Sequence, residues 1–122
     1  MAAQTDLWGD LEVESLRTPV AIMKEQASLL GIKTNNVLEG KITTQVQGSD
    51  FHHSFNVGVP TLDDYTYELF TVYHPVSLYP VRVPYKGISL KTEDEFTTWL
   101  KAQLSSIETR RIVSSLLAQA TS

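Results

Sequence analysis

Residues able to carry out acid–base or metal chemistry are concentrated in the middle of the chain. Three histidines, His52, His53 and His74, flank a pair of aspartates, Asp63 and Asp64. Imidazole and carboxylate groups are the side chains that most often ligate zinc or transfer protons near neutral pH. The first hypothesis to weigh is therefore a small site for metal binding or general acid–base catalysis.

The surrounding pattern argues against that hypothesis. Adjacent side chains in a strand point to opposite faces, so His52 and His53 cannot bind one ion together unless a bulge separates them. His53 shares the apolar side of Phe55, where we expect a buried histidine with one backbone hydrogen bond. Asp63 and Asp64 have the composition of a turn, and no recognised metal-ligand spacing is present. We therefore predict no metal site and no cofactor.

Catalytic motifs are also missing from the sequence. There is no cysteine, which excludes disulfides, thiolate zinc sites and cysteine nucleophiles. Neither the G-x-S-x-G turn of serine hydrolases nor a glycine-rich phosphate loop occurs. A non-catalytic role is therefore favoured. The alternative is a small enzyme or ligand-binding domain in which His52 and His74 meet beside Asp63 or Asp64, in a pocket on the sheet face.

Composition limits the class of protein and its partners. A chain of 122 residues with 42% hydrophobic and 20% charged residues is typical of one globular domain. Its formal charge of -4 disfavours a nucleic-acid partner, because phosphate binding normally requires a basic face. The first residues lack the basic and apolar regions of a signal peptide, and no apolar run is long enough to span a membrane. We predict a cytoplasmic protein without a membrane partner.

The N-terminal part of the chain divides into an arm and a helix. Residues 1–17 show no sustained periodicity and are predicted to be a partly ordered N-terminal arm. Trp8 is predicted to pack on the surface of the domain, and the alternative is that it packs on a partner. Residues 18–122 are predicted to form a single α+β domain. Its first helix should start at Pro19 after a threonine cap and stop at Gly31, because apolar residues recur three and four positions apart between them.

The middle of the chain predicts an antiparallel meander of about four strands. Residues 38–46 and 51–59 alternate apolar and polar side chains on either side of a short Gly-Ser-Asp loop, so we expect them to pair as a hairpin. A fourth strand is limited by prolines to a short segment at the sheet edge. After Tyr85 the chain is predicted to leave the sheet.

The third predicted strand, residues 65–74, is rich in aromatic and β-branched residues on both sides. Strand alternation places Tyr67 and Tyr73 on one side, opposite the side of Val72 and His74. Such a strand is either covered on both faces or presents one open aromatic face for binding.

Two C-terminal helices are predicted to pack on one face of the sheet. Thr92 and Glu95 form a capping box at the start of the first, and the second begins after a break near residue 105. A single kinked helix is the alternative. The predicted fold is therefore α+β, with an N-terminal helix, the antiparallel meander and two C-terminal helices.

The aromatic enrichment carries the functional prediction. Tyrosine and arginine are typical of the centres of protein interfaces, whereas the acidic charge disfavours base stacking. We predict a non-catalytic protein-binding domain, such as a small accessory, adaptor or inhibitor-type subunit of a bacterial system. Its partner would be another protein or a second copy of the chain. The predicted binding surface is formed by Tyr67, Tyr73, His74, Tyr79 and Arg82.

Overall fold

A computed structural model describes residues 5–122 and confirms the α+β class. Five strands form one antiparallel sheet in which each strand pairs with the next along the chain. One helix precedes the sheet and two follow it. The elements are α1 (Pro19–Lys33), β1 (Glu39–Gln47), β2 (Asp50–Val59), β3 (Tyr65–Pro75), β4 (Val81–Val83), β5 (Ile88–Leu90), α2 (Glu93–Leu104) and α3 (Ile107–Ala120).

The sheet has one strand more than the sequence predicts. The chain does not leave the sheet after Tyr85 but turns back, so that β5 pairs antiparallel with β4 and takes the edge position. Left-handed backbone conformations at Tyr85 and Gly87, with φ of 64° and 63°, make this tight turn. A strand of only three residues between a turn and a capped helix has too few side chains to show alternation.

Helix α1 extends past the position at which it was predicted to end. The Thr18 hydroxyl accepts a hydrogen bond from the Ala21 N–H at 3.1 Å, as expected for an N-cap. Gly31 remains helical, and the left-handed residues come later, at Asn35 and Asn36 with φ of 51° and 63°. The Asn36 N–H then donates to the carbonyl oxygen of Gly31 at 2.8 Å. Asparagine therefore performs the termination that was assigned to glycine.

One glycine sets the distance between α1 and the sheet. A Cβ atom on Gly40 in β1 would lie 2.4 Å from Cα of Ala27 in α1, inside any allowed contact. The small residues at both positions therefore let the backbone of the helix lie directly on the strand.

All three helices pack on one face of the sheet, which confirms the predicted layers for α2 and α3. One apolar cluster joins α1 and α2 to the strands around Phe55, Val72 and Val81. A second cluster joins Leu116 of α3 to Val57 and Val59 of β2. No helix within residues 5–122 contributes to a core on the opposite face, which we call the open face.

The two C-terminal helices are separate, so the kinked-helix alternative is wrong. The Thr92 hydroxyl accepts the N–H of Glu95 at 3.1 Å to begin α2. The Ser106 hydroxyl accepts the N–H of Thr109 at 3.2 Å to begin α3. The buried Thr109 hydroxyl also donates to the carbonyl oxygen of Gln103 at 2.9 Å, which fixes the angle between the helices.

The described part of the N-terminal arm, residues 5–17, contains no helix or strand. Trp8 is 78% exposed, so the prediction that it packs on the domain is wrong. The remainder of the predicted arm, residues 1–4, lies outside the described residues. Among the described helices, none combines the length and the apolar character needed to cross a bilayer.

Candidate functional site

A β-bulge in β3 decides which of the predicted binding residues share a face. Phe55 pairs with Phe70, whereas the next residue, Asn56, pairs with Glu68, so Leu69 is the extra residue on β3. Because side chains alternate between the two faces along a strand, the extra residue switches the face on which each earlier side chain of β3 lies. Tyr67 and Tyr73 therefore lie on opposite faces of the sheet, and the sequence prediction that they share one is wrong.

The five predicted binding residues are consequently divided. Tyr67 pairs with Val57 and packs with the α3 cluster, and His74 is 5% exposed on the helix-covered face. Tyr79 packs against the main apolar cluster while its hydroxyl donates to the Arg17 carbonyl at 3.0 Å. Burial and the nearby Glu93 carboxylate raise the pKa of this phenol. Only Tyr73 and Arg82 remain on the open face.

Tyr73 and Arg82 belong to a row that crosses the sheet. Tyr73 is the direct cross-strand neighbour of Arg82 on one side and of His52 on the other. The His52 ring stacks on the Tyr73 ring with centroids 5.0 Å apart and planes 13° from parallel. The outer strands complete the row with Gln45 and Ser89. We call these five residues the cross-strand row.

The cross-strand row has a polar, hydrogen-bonded surrounding on the open face. Ser54 and Thr71, on β2 and β3, share a hydrogen bond of 2.7 Å between their hydroxyls. The Asn56 amide donates to Thr43 Oγ1 at 3.3 Å. These contacts fix the neighbouring side chains, so the Tyr73 ring and the exposed Arg82 side chain project from an ordered surface.

The two buried histidines form a pair that the sequence did not predict. His53 Nε2 lies 2.8 Å from His74 Nε2, across β2 and β3. His53 Nδ1 lies 2.9 Å from the Thr44 hydroxyl, and His74 Nδ1 lies 2.7 Å from the Pro75 carbonyl oxygen. His53 was expected to be buried with one backbone hydrogen bond; it is buried, but both of its partners are side chains.

One arrangement of protons satisfies all four groups when both rings are neutral. The Pro75 carbonyl can only accept, so Nδ1 of His74 carries its proton and Nε2 of His74 is left as an acceptor. His53 must then donate from Nε2 and accept the Thr44 hydroxyl at Nδ1. The tautomers are thus assigned from the hydrogen-bond chain.

A positive charge on His53 is unfavourable. Burial, as the largest cause, together with the positive charges of His74, His52 and Lys24 in that order, lowers the pKa of His53 from 6.5 to about 4. Neither ring lines the groove described below. The pair is therefore a buried link among β1, β2 and β3 in which His53 is held neutral.

The residues of the alternative enzymatic site do not come together. His52 lies on the open face, whereas His74 lies on the covered face. Asp63 and Asp64 occupy the turn at the other end of β3, roughly 30 Å away at strand spacing. Both aspartates have left-handed backbone with φ of 55°, as suits a turn. Within residues 5–122, no three histidine, aspartate or glutamate side chains are grouped to hold a metal ion.

A groove opens between the three helices on the covered face. Its volume is about 600 Å³, and its floor is formed by Phe55 and the bulge residue Leu69. Its walls come from α1, α2 and α3, which leave a gap between the two apolar clusters. The cationic residues Lys33, Lys101 and Arg110 line it, one from each helix. We call this cavity the helical groove.

Sequence reasoning missed the bulge, the histidine pair and the helical groove. The bulge had a signal, because the adjacent apolar residues Leu69 and Phe70 interrupt the alternation of β3. The histidine pair depends on cross-strand register, and the helical groove depends on the gaps between packed helices. The alternation of apolar and polar residues along one strand predicts neither.

Comparison of the chain with protein-family models, with curated proteins and with solved structures finds no match in any of the three. Function is therefore inferred from the geometry of the open face and of the helix-covered face.

Proposed function

We propose that this chain is a non-catalytic protein-binding domain that recognises its partner through the cross-strand row on the open face. The observation that supports the proposal is the adjacency of His52, Tyr73 and Arg82 on three neighbouring strands. Tyrosine and arginine are enriched among the residues that dominate binding energy at protein interfaces.

The chemistry of the row defines the kind of partner surface that fits it. Arg82 is exposed and is in no salt bridge with any residue from 5 to 122, so its guanidinium is available to a carboxylate. The stacked rings of His52 and Tyr73 offer a flat apolar surface beside it. The complementary surface therefore presents an acidic side chain next to an apolar or aromatic one.

The test compares partner capture by matched variants of the full chain. The immobilised protein is incubated with an extract of the cells from which it comes, and Tyr73→Ala with Arg82→Ala forms the test variant. Loss of one interface hot spot typically costs at least 2 kcal/mol, which weakens binding about 30-fold. We expect the bound protein to be lost from the double variant.

The matched control is Tyr85→Ala with Lys86→Ala, which removes a tyrosine and a cation from the exposed β4–β5 turn. Capture should be unchanged in this control. Equal capture by the test variant and the wild type, with both variants folded by circular dichroism, would refute binding through the cross-strand row.

A further inference from the structure

Two complementary features of the molecule are uncovered. The first is the helical groove. The second is residues 5–16, which we call the acidic segment because it carries four carboxylates and no basic side chain. Its apolar residues are largely solvent-exposed, from 48% for Leu16 to 96% for Val13. Exposed apolar clusters of this kind normally mark a contact surface.

We propose that the acidic segment of a second copy of the chain occupies the helical groove, so that two copies exchange segments. Each copy then offers one segment and fills one groove, which gives a closed, two-fold symmetric dimer. This inference is independent of binding through the cross-strand row, because that row lies on the opposite face of the sheet.

Charge complementarity supports this occupant. The helical groove is lined by Lys33, Lys101 and Arg110, and no aspartate or glutamate is among its lining residues. None of these three cations forms a salt bridge within the described residues. The carboxylates of the acidic segment are equally without a cationic partner there. An acidic, apolar segment thus matches an apolar groove with cationic residues along it.

The chain exposes more surface than a compact monomer of the same mass would. The accessible surface is 8568 Å², whereas a compact monomer of 13.6 kDa exposes roughly 6600 Å². The excess of about 2000 Å² on each copy is more than the roughly 800 Å² that one partner buries in a standard protein–protein interface. Seating two segments in two grooves would remove much of this excess from water.

Within one chain the acidic segment does not enter the helical groove, which favours a second copy as the source of the occupant. Hydrogen bonds within the acidic segment are local, as from the Trp8 N–H to Asp6 at 2.9 Å. Where the segment joins the domain, the Arg17 N–H donates to the Glu93 carboxylate at 3.0 Å. A single chain therefore leaves both segment and groove uncovered. Twelve extended residues reach roughly 40 Å, which is enough to enter the groove of a neighbouring copy.

Light scattering on the full chain over a dilution series tests the proposal. The wild type should dimerise, and added salt should weaken the dimer because the contact pairs opposite charges. Trp8→Ala with Leu11→Ala should raise the dimer dissociation constant at least tenfold, about 1.4 kcal/mol. The control is Val76→Ala, which removes a 79% exposed apolar side chain elsewhere and should change nothing.

Charge reversal provides a second, reciprocal test. Lys33→Glu with Lys101→Glu should dissociate the dimer, and adding Asp10→Lys with Glu12→Lys to the same chain should restore it. The control reverses Lys41 and Lys86, which are exposed outside the groove. A monomeric wild type at all concentrations, or a dimer equally affected by the test and control pairs, would overturn the proposal.

Because the chain has no cysteine, an introduced pair of cysteines can show whether the acidic segment enters the groove of its own chain or of a second copy. A chain carrying both Val13→Cys and Ser114→Cys, the latter in the groove lining, should form disulfides between copies on mild oxidation. A disulfide within one chain, or none at all, would contradict docking into a second copy.

Discussion

Replacing His53 by glutamine should remove a large part of the pH dependence of stability. Neutral His53 donates from Nε2 to His74 and accepts the Thr44 hydroxyl at Nδ1. A glutamine amide also carries a donor and an acceptor, but it does not titrate. His53→Gln therefore keeps a polar side chain between His74 and Thr44 while removing the ionisable ring.

The magnitude follows from the pKa of His53, which burial lowers from 6.5 to about 4. Between these two values the unfolded chain binds a proton that the folded chain does not. The stabilisation is therefore fully present above pH 6.5, is lost progressively as the pH falls, and is gone near pH 4. A pKa lowered this far corresponds to about 3 kcal/mol, at about 1.4 kcal/mol for each tenfold change in proton affinity.

Urea unfolding of the wild type and of His53→Gln at several values between pH 7 and pH 4 measures this difference. Carboxylates contribute equally to both proteins, so subtracting the two curves isolates the buried ring. The free energy of unfolding of the wild type should fall by about 3 kcal/mol more than that of the variant. His52→Gln, on the open face, should retain most of the wild-type pH dependence. Parallel curves for the wild type and His53→Gln would show that the pH dependence does not come from His53.

Four further substitutions test the packing, each by urea unfolding at pH 7. Gly40→Ala should destabilise by about 2–3 kcal/mol, because the added Cβ would overlap the backbone of α1. Gly58→Ala should cost less, because its Cβ would meet only a flexible lysine side chain, at 3.1 Å. Thr109→Val should cost about 1 kcal/mol through the lost hydrogen bond to Gln103. Phe96→Ala, at a fully buried position, should cost about 3–5 kcal/mol.

The elements that carry strong local signals are the ones that sequence predicted well. The threonine caps of α1 and α2 are seen as hydrogen bonds to the backbone, and the Gly48-Ser49 turn joins β1 to β2 in the expected hairpin. Hydroxyl caps and two-residue turns depend only on three or four consecutive residues, so they can be predicted from local sequence alone.

The candidate site was harder to predict because it depends on register. A single extra residue at Leu69 moved Tyr67 from the predicted binding surface to the core and left Tyr73 outside. The meeting of His53 with His74 depends on the same pairing of β2 with β3. Alternation predicts which side chains share a face only within an uninterrupted strand. One bulge is therefore enough to place residues of a predicted surface on opposite faces.

Photo-crosslinking from two exposed serines shows which face of the sheet binds the partner protein. A photoreactive phenylalanine analogue is placed at Ser89, at the end of the cross-strand row, or at Ser114, beside the helical groove. If the cross-strand row is the binding surface, adducts with a different protein in the cell extract will form from position 89 and will be absent from position 114. Adducts of that protein from position 114 alone, or from neither position, would show that the cross-strand row is not the binding surface.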